Sequence, residues 1–259
     1  MNNFNYIFKI VLLVTLLPSI TSAIEIQNLS QAVDVAGKQR MFTQRMLKDY
    51  AMVGMGNSFG KPEDDLKKIV TSFEEHMHSL SKFTNDEATK KSLQEAKALW
   101  KPIKQKLTIK PTKESAQVLQ NDLEILLKVA DNSTKLFAKQ TGKKSGEIIN
   151  MAGRQRMLSQ RMASLYMLKV WGIDDPQFAK KMSDAMDLFK TSLQTLNKYE
   201  NNTPEISKLL AKVKRSFMFF EIMNRSKSKF IPSLIYKKSN DILKNMNRAT
   251  GLYAALKIN

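Results

Sequence analysis

Apolar residues recur at spacings of three and four along much of the chain. Leu119, Leu123, Leu126, Leu127 and Ala130 form one such stripe, and Phe178, Met182, Ala185, Met186 and Phe189 form another. That period puts an apolar face on an α-helix. No stretch alternates clearly as a half-buried strand would, and no Asn-Gly or Asp-Gly pair marks a hairpin. Helix starts are signalled by Pro62 with three acids after it, by Asn85 as a cap, and by a restart near Thr112. Asp175 before Pro176 and Thr203 before Pro204 repeat the cap-then-proline order. Pro102 is expected to kink or end the third helix.

The pattern is written twice. Shifted by 116 residues, "VDVAGKQRMFTQRMLKDYAMVGMG" (33–56) falls on "INMAGRQRMLSQRMASLYMLKVWG" (149–172). The same shift puts Phe73 on Phe189, Leu80 on Leu196, and "LLKVADNSTKLF" (126–137) on "ILKNMNRATGLY" (242–253). A constant offset over a whole unit is the signature of tandem duplication. The fold predicted is all-α: two tandem antiparallel four-helix-bundle repeats, eight helices, over residues 24–140 and 141–259. Gly142 and Gly146 leave the junction open. The fourth and fifth helices either run together as one long rod, or turn so that the halves pack side by side.

The first 23 residues add a compartment. Lys9, an apolar run from Ile10 to Leu17 and small residues ending at Ala23 read as a secretory signal peptide. The run is roughly 10 residues, short of the about 20 needed to span a bilayer. No later stretch is long and apolar enough to be a membrane helix, so the remaining chain is expected to be soluble and periplasmic. The chain has no cysteine, so packing alone must hold the fold. The net charge is +18, or +17 without Lys9. Export argues against nucleic acid as the partner. Anionic small molecules, lipid head groups or envelope polymers remain, and most of the lysines need do no more than solvate helices.

The repeated segment carries the candidate chemistry. Gly37, Arg40 and Gln44 lie on one helical stripe, as do Gly153, Arg156 and Gln160 in the second copy. Val35, Phe42, Met46 and Tyr50 face the core, which places Arg40 at the border of the apolar face. A glycine one turn before the arginine allows close approach of a ligand or a backbone. A guanidinium offers a planar fork of donors to an oxyanion, and the glutamines could add amide donors. The competing reading is that the motif serves helix packing, with each arginine held in a salt bridge. Arg45 and Arg161 point elsewhere and read as structural or interfacial.

Both copies of this box resemble the first helix of the type IV pili methyl-accepting chemotaxis transducer N-terminal (PilJ-type) domain. That family is related to the periplasmic sensor domains of nitrate/nitrite histidine kinases. The resemblance implies an antiparallel four-helix bundle and a ligand held between two first helices by the arginine preceding methionine, here Arg40 and Arg156. The nitrate sensors carry a lysine two positions before the glycine, where this chain has Val35 and Met151. Because one chain holds both copies, the two arginines are expected to face each other across an internal pseudo-twofold axis, as in a dimer. A bound anion would offset their repulsion. If instead each is locked to a carboxylate, packing is what the motif serves.

Nothing supports an enzyme: there is no nucleophile–base pair, phosphate loop or supported acid pair, and no cofactor is expected. His76 and His78 diverge on a helix, so no shared metal is expected; the 15 methionines read as core filler, and Trp100 and Trp171 as packing residues. Two function classes follow. One is a periplasmic sensor or ligand-binding protein for a small, nitrate- or nitrite-like anion, handing its signal to a separate membrane receptor. The other is a non-catalytic interaction or scaffold protein of the envelope.

Overall fold

A computed structural model of the chain describes residues 24–142, 144–225 and 231–256, without the side chains of residues 224 and 225. The proposed signal peptide, residues 1–23, lies outside the described residues. Among the described residues eight helices follow in order: α1 (Leu29–Gly54), α2 (Pro62–Phe83), α3 (Glu87–Leu107), α4 (Lys113–Gln140), α5 (Lys144–Val170), α6 (Phe178–Asn197), α7 (Pro204–Arg225) and α8 (Pro232–Ala255). No strand occurs among the described residues.

Local chemistry accounts for most of the starts. Asn28 caps α1 by accepting the Gln31 amide, and Thr112 and Ser115 form a reciprocal capping box on α4. Pro62 opens α2, where Glu63, Asp64 and Asp65 face the positive end of the helix dipole. Thr203 accepts the Ile206 amide ahead of Pro204. Two caps differ from expectation. Asp86, not Asn85, caps α3, because its carboxylate reaches both the amide and the hydroxyl of Thr89. Asp175 accepts the Gln177 amide in a turn, and α6 starts only at Phe178. Pro102 does not end α3, which continues to Leu107 with the proline on its exposed side.

Within each half, the first helix packs on the second and fourth, and the third on the fourth, giving an antiparallel bundle. The junction is a turn. Gly142 takes a left-handed φ of 63°, sending α5 back beside α4 rather than extending it. The halves then meet side by side, and α1 on α5 is the most extensive helix pairing in the molecule. Gly37 opposes Gly153, Ser164 reaches Gln44, and Lys48 reaches Gln160. From the paired glycines both helices run on toward the symmetry-related contacts of Gln44 with Ser164 and of Lys48 with Gln160, so α1 and α5 run parallel about a pseudo-twofold axis. One hydrophobic core runs through both halves.

The internal symmetry is close but slips by one residue. Gln39 donates to the Phe73 carbonyl and Gln155 to the Phe189 carbonyl, at the offset of 116. Phe73 stacks on Trp100 at 4.3 Å, however, and Phe189 on Phe217 at 4.4 Å, an offset of 117 for the second partner. The caps Asp86 and Thr203 share that offset. The longer α6–α7 connection therefore carries an extra residue, and the counterpart of Pro102 is Phe219 rather than Met218.

Trp100 tests the packing of the first half, since its Nε1 also donates to Glu74 at 3.0 Å. Replacing it with alanine should cost roughly 3–5 kcal/mol, read by urea unfolding. A cost below about 1 kcal/mol would mean this stack is not part of the core.

Candidate functional site

Arg40 of α1 and Arg156 of α5 meet where the two helices come closest. A methyl group placed on Gly37 would lie 3.0 Å from Arg156 Nη2, 3.4 Å from Arg40 Nη2 and 3.9 Å from the Gly153 Cα. A methyl group on Gly153 would meet the same two Nη2 atoms at the same distances. The glycines are what let two helices and two guanidinium groups share this crossing. Both arginines have 0% exposure, so Arg40 lies not at the border of an apolar face but wholly inside. The face opposite the core of its own bundle is covered by the other repeat.

Each guanidinium is already neutralised. Arg40 Nη1 donates to Asp131 Oδ1 of α4 at 2.6 Å, and its Nη2 to the Asn150 carbonyl at 3.2 Å. Arg156 Nη1 donates to Asp34 Oδ1 of α1 at 2.7 Å and to Asn247 Oδ1 at 3.2 Å, and its Nη2 to the Asp34 carbonyl at 3.1 Å. Under the 116-residue offset Asp34 corresponds to Asn150, and Asp131 to Asn247. Each arginine thus faces two equivalent positions, one on the partner first helix and one on its own fourth helix. An acid fills one and an asparagine the other, in opposite order in the two halves; Asn150 contributes its backbone carbonyl to Arg40, while its side-chain Oδ1 has no hydrogen-bond partner. Lys38 and Lys135 contact the outer oxygens of Asp34 and Asp131.

Electrostatics follows burial. Burial pushes the Arg40 guanidinium down to about 10, with Asp131 opposing it, so the group stays cationic near neutral pH. Burial raises Asp131, but Arg40 and Lys135 outweigh it and hold the carboxyl below its ordinary range. Asp34 behaves likewise against Arg156 and Lys38. The Nε atoms of both arginines have no hydrogen-bond partner. Asp131 keeps 24% side-chain exposure and lines a groove of about 420 Å³ between α4, α5 and α6, where Lys128, Arg154 and Lys181 also lie.

The expected site residues are therefore brought together only in part. Arg40, Arg156, Gly37 and Gly153 converge. Gln44 and Gln160 do not point at the arginines: Gln160 accepts from Lys48 at 2.8 Å and donates to the Ser239 carbonyl, while Gln44 accepts from Ser164. Arg45 pairs with Asp65 within the first half, and Arg161 joins Glu124 across the halves. His76 is buried beside Phe42, with burial pushing it down to about 4, and His78 is exposed on another face. Among the described residues no cluster of three His, Cys, Asp or Glu could hold a metal.

One buried group was missed from the sequence. Lys48 and Asp49 are both fully buried. The Lys48 ammonium donates to Gln160 and to Asn240, each at 2.8 Å, and lies 4.1 Å from the centre of the Tyr236 ring. Burial lowers Lys48 to about 8 and raises Asp49 to about 8. The available signal was a break in the repeat, since the counterparts of Lys48 and Asp49 are Ser164 and Leu165.

Two predictions follow from these charges. Arg40→Met leaves Asp131 without its main partner and should cost roughly 3–5 kcal/mol, whereas Arg40→Met/Asp131→Asn should recover most of that loss; urea unfolding of all three proteins checks it. Asp49 has a folded pKa above its unfolded one, so the stability it contributes is present at low pH and lost as pH rises toward 8. Relative to Asp49→Asn, the wild type should lose stability between about pH 5 and pH 8 and level off above.

The chain matches the family described as "Type IV pili methyl-accepting chemotaxis transducer N-term" over residues 25–126 and 138–217. No curated protein and no solved structure matches it. One matched segment runs from just ahead of α1 into α4, the other from the end of α4 into α7. With two bundles, each opened by the same glycine–arginine–methionine helix, this chain belongs to the PilJ family of chemotaxis-transducer N-terminal domains and carries the domain in two tandem copies.

Proposed function

We propose that this protein is a sensory or adaptor module of the bacterial envelope that acts by binding a partner, and that its repeated motif is the clamp holding the two domains in register. Domains of this family are typically periplasmic and sensory. A periplasmic location fits the proposed leader, residues 1–23. Among the described residues no helix is long and apolar enough to cross a membrane. In this reading the signal passes to a separate membrane receptor or envelope protein. The observation that carries the clamp is the pairing of each wholly buried arginine with a carboxylate. Such a pair has no net charge left to attract an anion, and opening it would strand a buried charge.

A second reading keeps one observation in its favour. The Nε of each arginine lacks an acceptor, and Asp131 borders a groove rich in cations. A small nitrate- or nitrite-like anion entering there would displace the carboxylates and sit between Arg40 and Arg156, with Gly37 and Gly153 making room.

A thermal-shift and calorimetry screen of nitrate, nitrite, sulfate and phosphate against chloride at equal ionic strength separates the two. The clamp predicts no anion-specific shift. An anion site predicts a saturable stabilisation of about 2.7 kcal/mol at a hundredfold excess over Kd, and its loss in Arg40→Met/Asp131→Asn.

A further inference from the structure

The two halves differ where α7 faces outward. Its core stripe is Ile206, Leu210, Val213, Phe217 and Phe220, all buried. On the other side Met218, Phe219 and Ile222 are 49%, 36% and 57% exposed. Spaced by one and three, they form a single outward ridge. At the offset of 117 set by the caps and aromatic stacks, the corresponding residues of α3 are Lys101, Pro102 and Gln105, all exposed. The same place on the same fold is thus apolar in one copy and not in the other, so the fold does not require the ridge.

The flank of the ridge has diverged as well. In the first half Glu74 accepts from Trp100 Nε1 and from Lys104 at 2.8 Å, bridging α2 to α3. In the second half Phe217 replaces the tryptophan and has no N–H, Lys190 replaces the acid, and Glu221 replaces the lysine. A groove of about 620 Å³ opens there between α6 and α7, lined by Leu193, Phe217 and Met218 with Lys190, Lys198 and Lys214. On the other flank Lys238 lies 4.0 Å from the centre of the Phe219 ring. Lys212 and Arg215 on α7 are exposed just before the ridge. Among the described residues Glu221 is the one acid lining the groove.

We infer that this ridge and groove are a docking surface for an anionic lipid bilayer. A short convex apolar ridge flanked by lysines on long stems matches a bilayer surface: the apolar tips enter the acyl boundary and the ammonium groups meet phosphate. A second copy of the chain fits less well, because facing ridges would bring two sets of cations together. The inference goes beyond the proposed function and does not depend on whether the arginine clamp binds an anion. It gives a module without a membrane-crossing helix among its described residues a way to stay beside a membrane receptor.

The test is co-sedimentation of the full chain with vesicles of phosphatidylcholine alone and of equal parts phosphatidylcholine and phosphatidylglycerol. The wild type should pellet with the anionic vesicles and little with the neutral ones. Met218→Ser/Phe219→Ser/Ile222→Gln leaves the charge unchanged and should weaken binding on the order of tenfold. Ile109→Ser, an exposed apolar residue of the first half, should bind as the wild type does. Phe219→Trp should show a blue-shifted emission only with anionic vesicles. Equal binding by the triple variant and the wild type overturns the inference, since scattered lysines then suffice. So does a wild type that binds neither vesicle, or one whose ridge instead supports a concentration-dependent dimer that the triple variant loses. Circular dichroism of the triple variant guards against a folding defect, and an unshifted Phe219→Trp spectrum on anionic vesicles overturns the inference without it.

Discussion

Two guanidinium groups lie fully buried against the same pair of glycines, and the arrangement stands only because each has a carboxylate of its own. Buried like charges at this separation repel strongly, and Arg40 keeps its proton near neutral pH. Asp131 and Asp34 balance the two charges, and the Asn150 main-chain carbonyl and the Asn247 side chain supply neutral oxygens. The closest approach of α1 and α5, and with it the side-by-side packing of the two halves, depends on this balance.

The balance also shows what duplication permits. In a symmetric dimer, a residue on the first helix and its copy must be identical, so an aspartate at one position appears twice. A tandem chain escapes that constraint. Here an acid occupies the first-helix position against Arg156 and the fourth-helix position against Arg40, with amides at the two complementary places. Lys48 with Asp49, and the apolar ridge of α7, are further departures from symmetry that only a single chain can hold. The buried lysine is satisfied by Gln160 and Asn240 from the other half, so this part of the asymmetry is built into the interface between the halves.

The helices, their number and the duplication were legible in the sequence because they rest on period, caps and a constant offset. The convergence of Arg40 with Arg156 beside Gly37 and Gly153 was legible for the same reason: symmetry carries it. What pairs with each arginine was not. Asp131 is 91 residues from Arg40 and Asp34 is 122 from Arg156, and no local spacing links them. Asp34 even lies within the quoted motif, but nothing in that stretch ties it to α5. Gln44 and Gln160 share a stripe with the arginines, but they lie a turn further along, where Ser164, Lys48 and Ser239 claim them. Asn85 lost the cap to its neighbour because a one-residue shift is invisible to pattern.

The central claim is that each arginine needs one acid and that either of its two positions will serve. Moving the acid tests it: Asp131→Asn alone, against Asp131→Asn/Asn150→Asp, compared with wild type by equilibrium urea unfolding. The account predicts that the single substitution destabilises the protein and that restoring a carboxylate at 150 returns most of the loss. A harmless single substitution, or a double variant no more stable than the single, would contradict it.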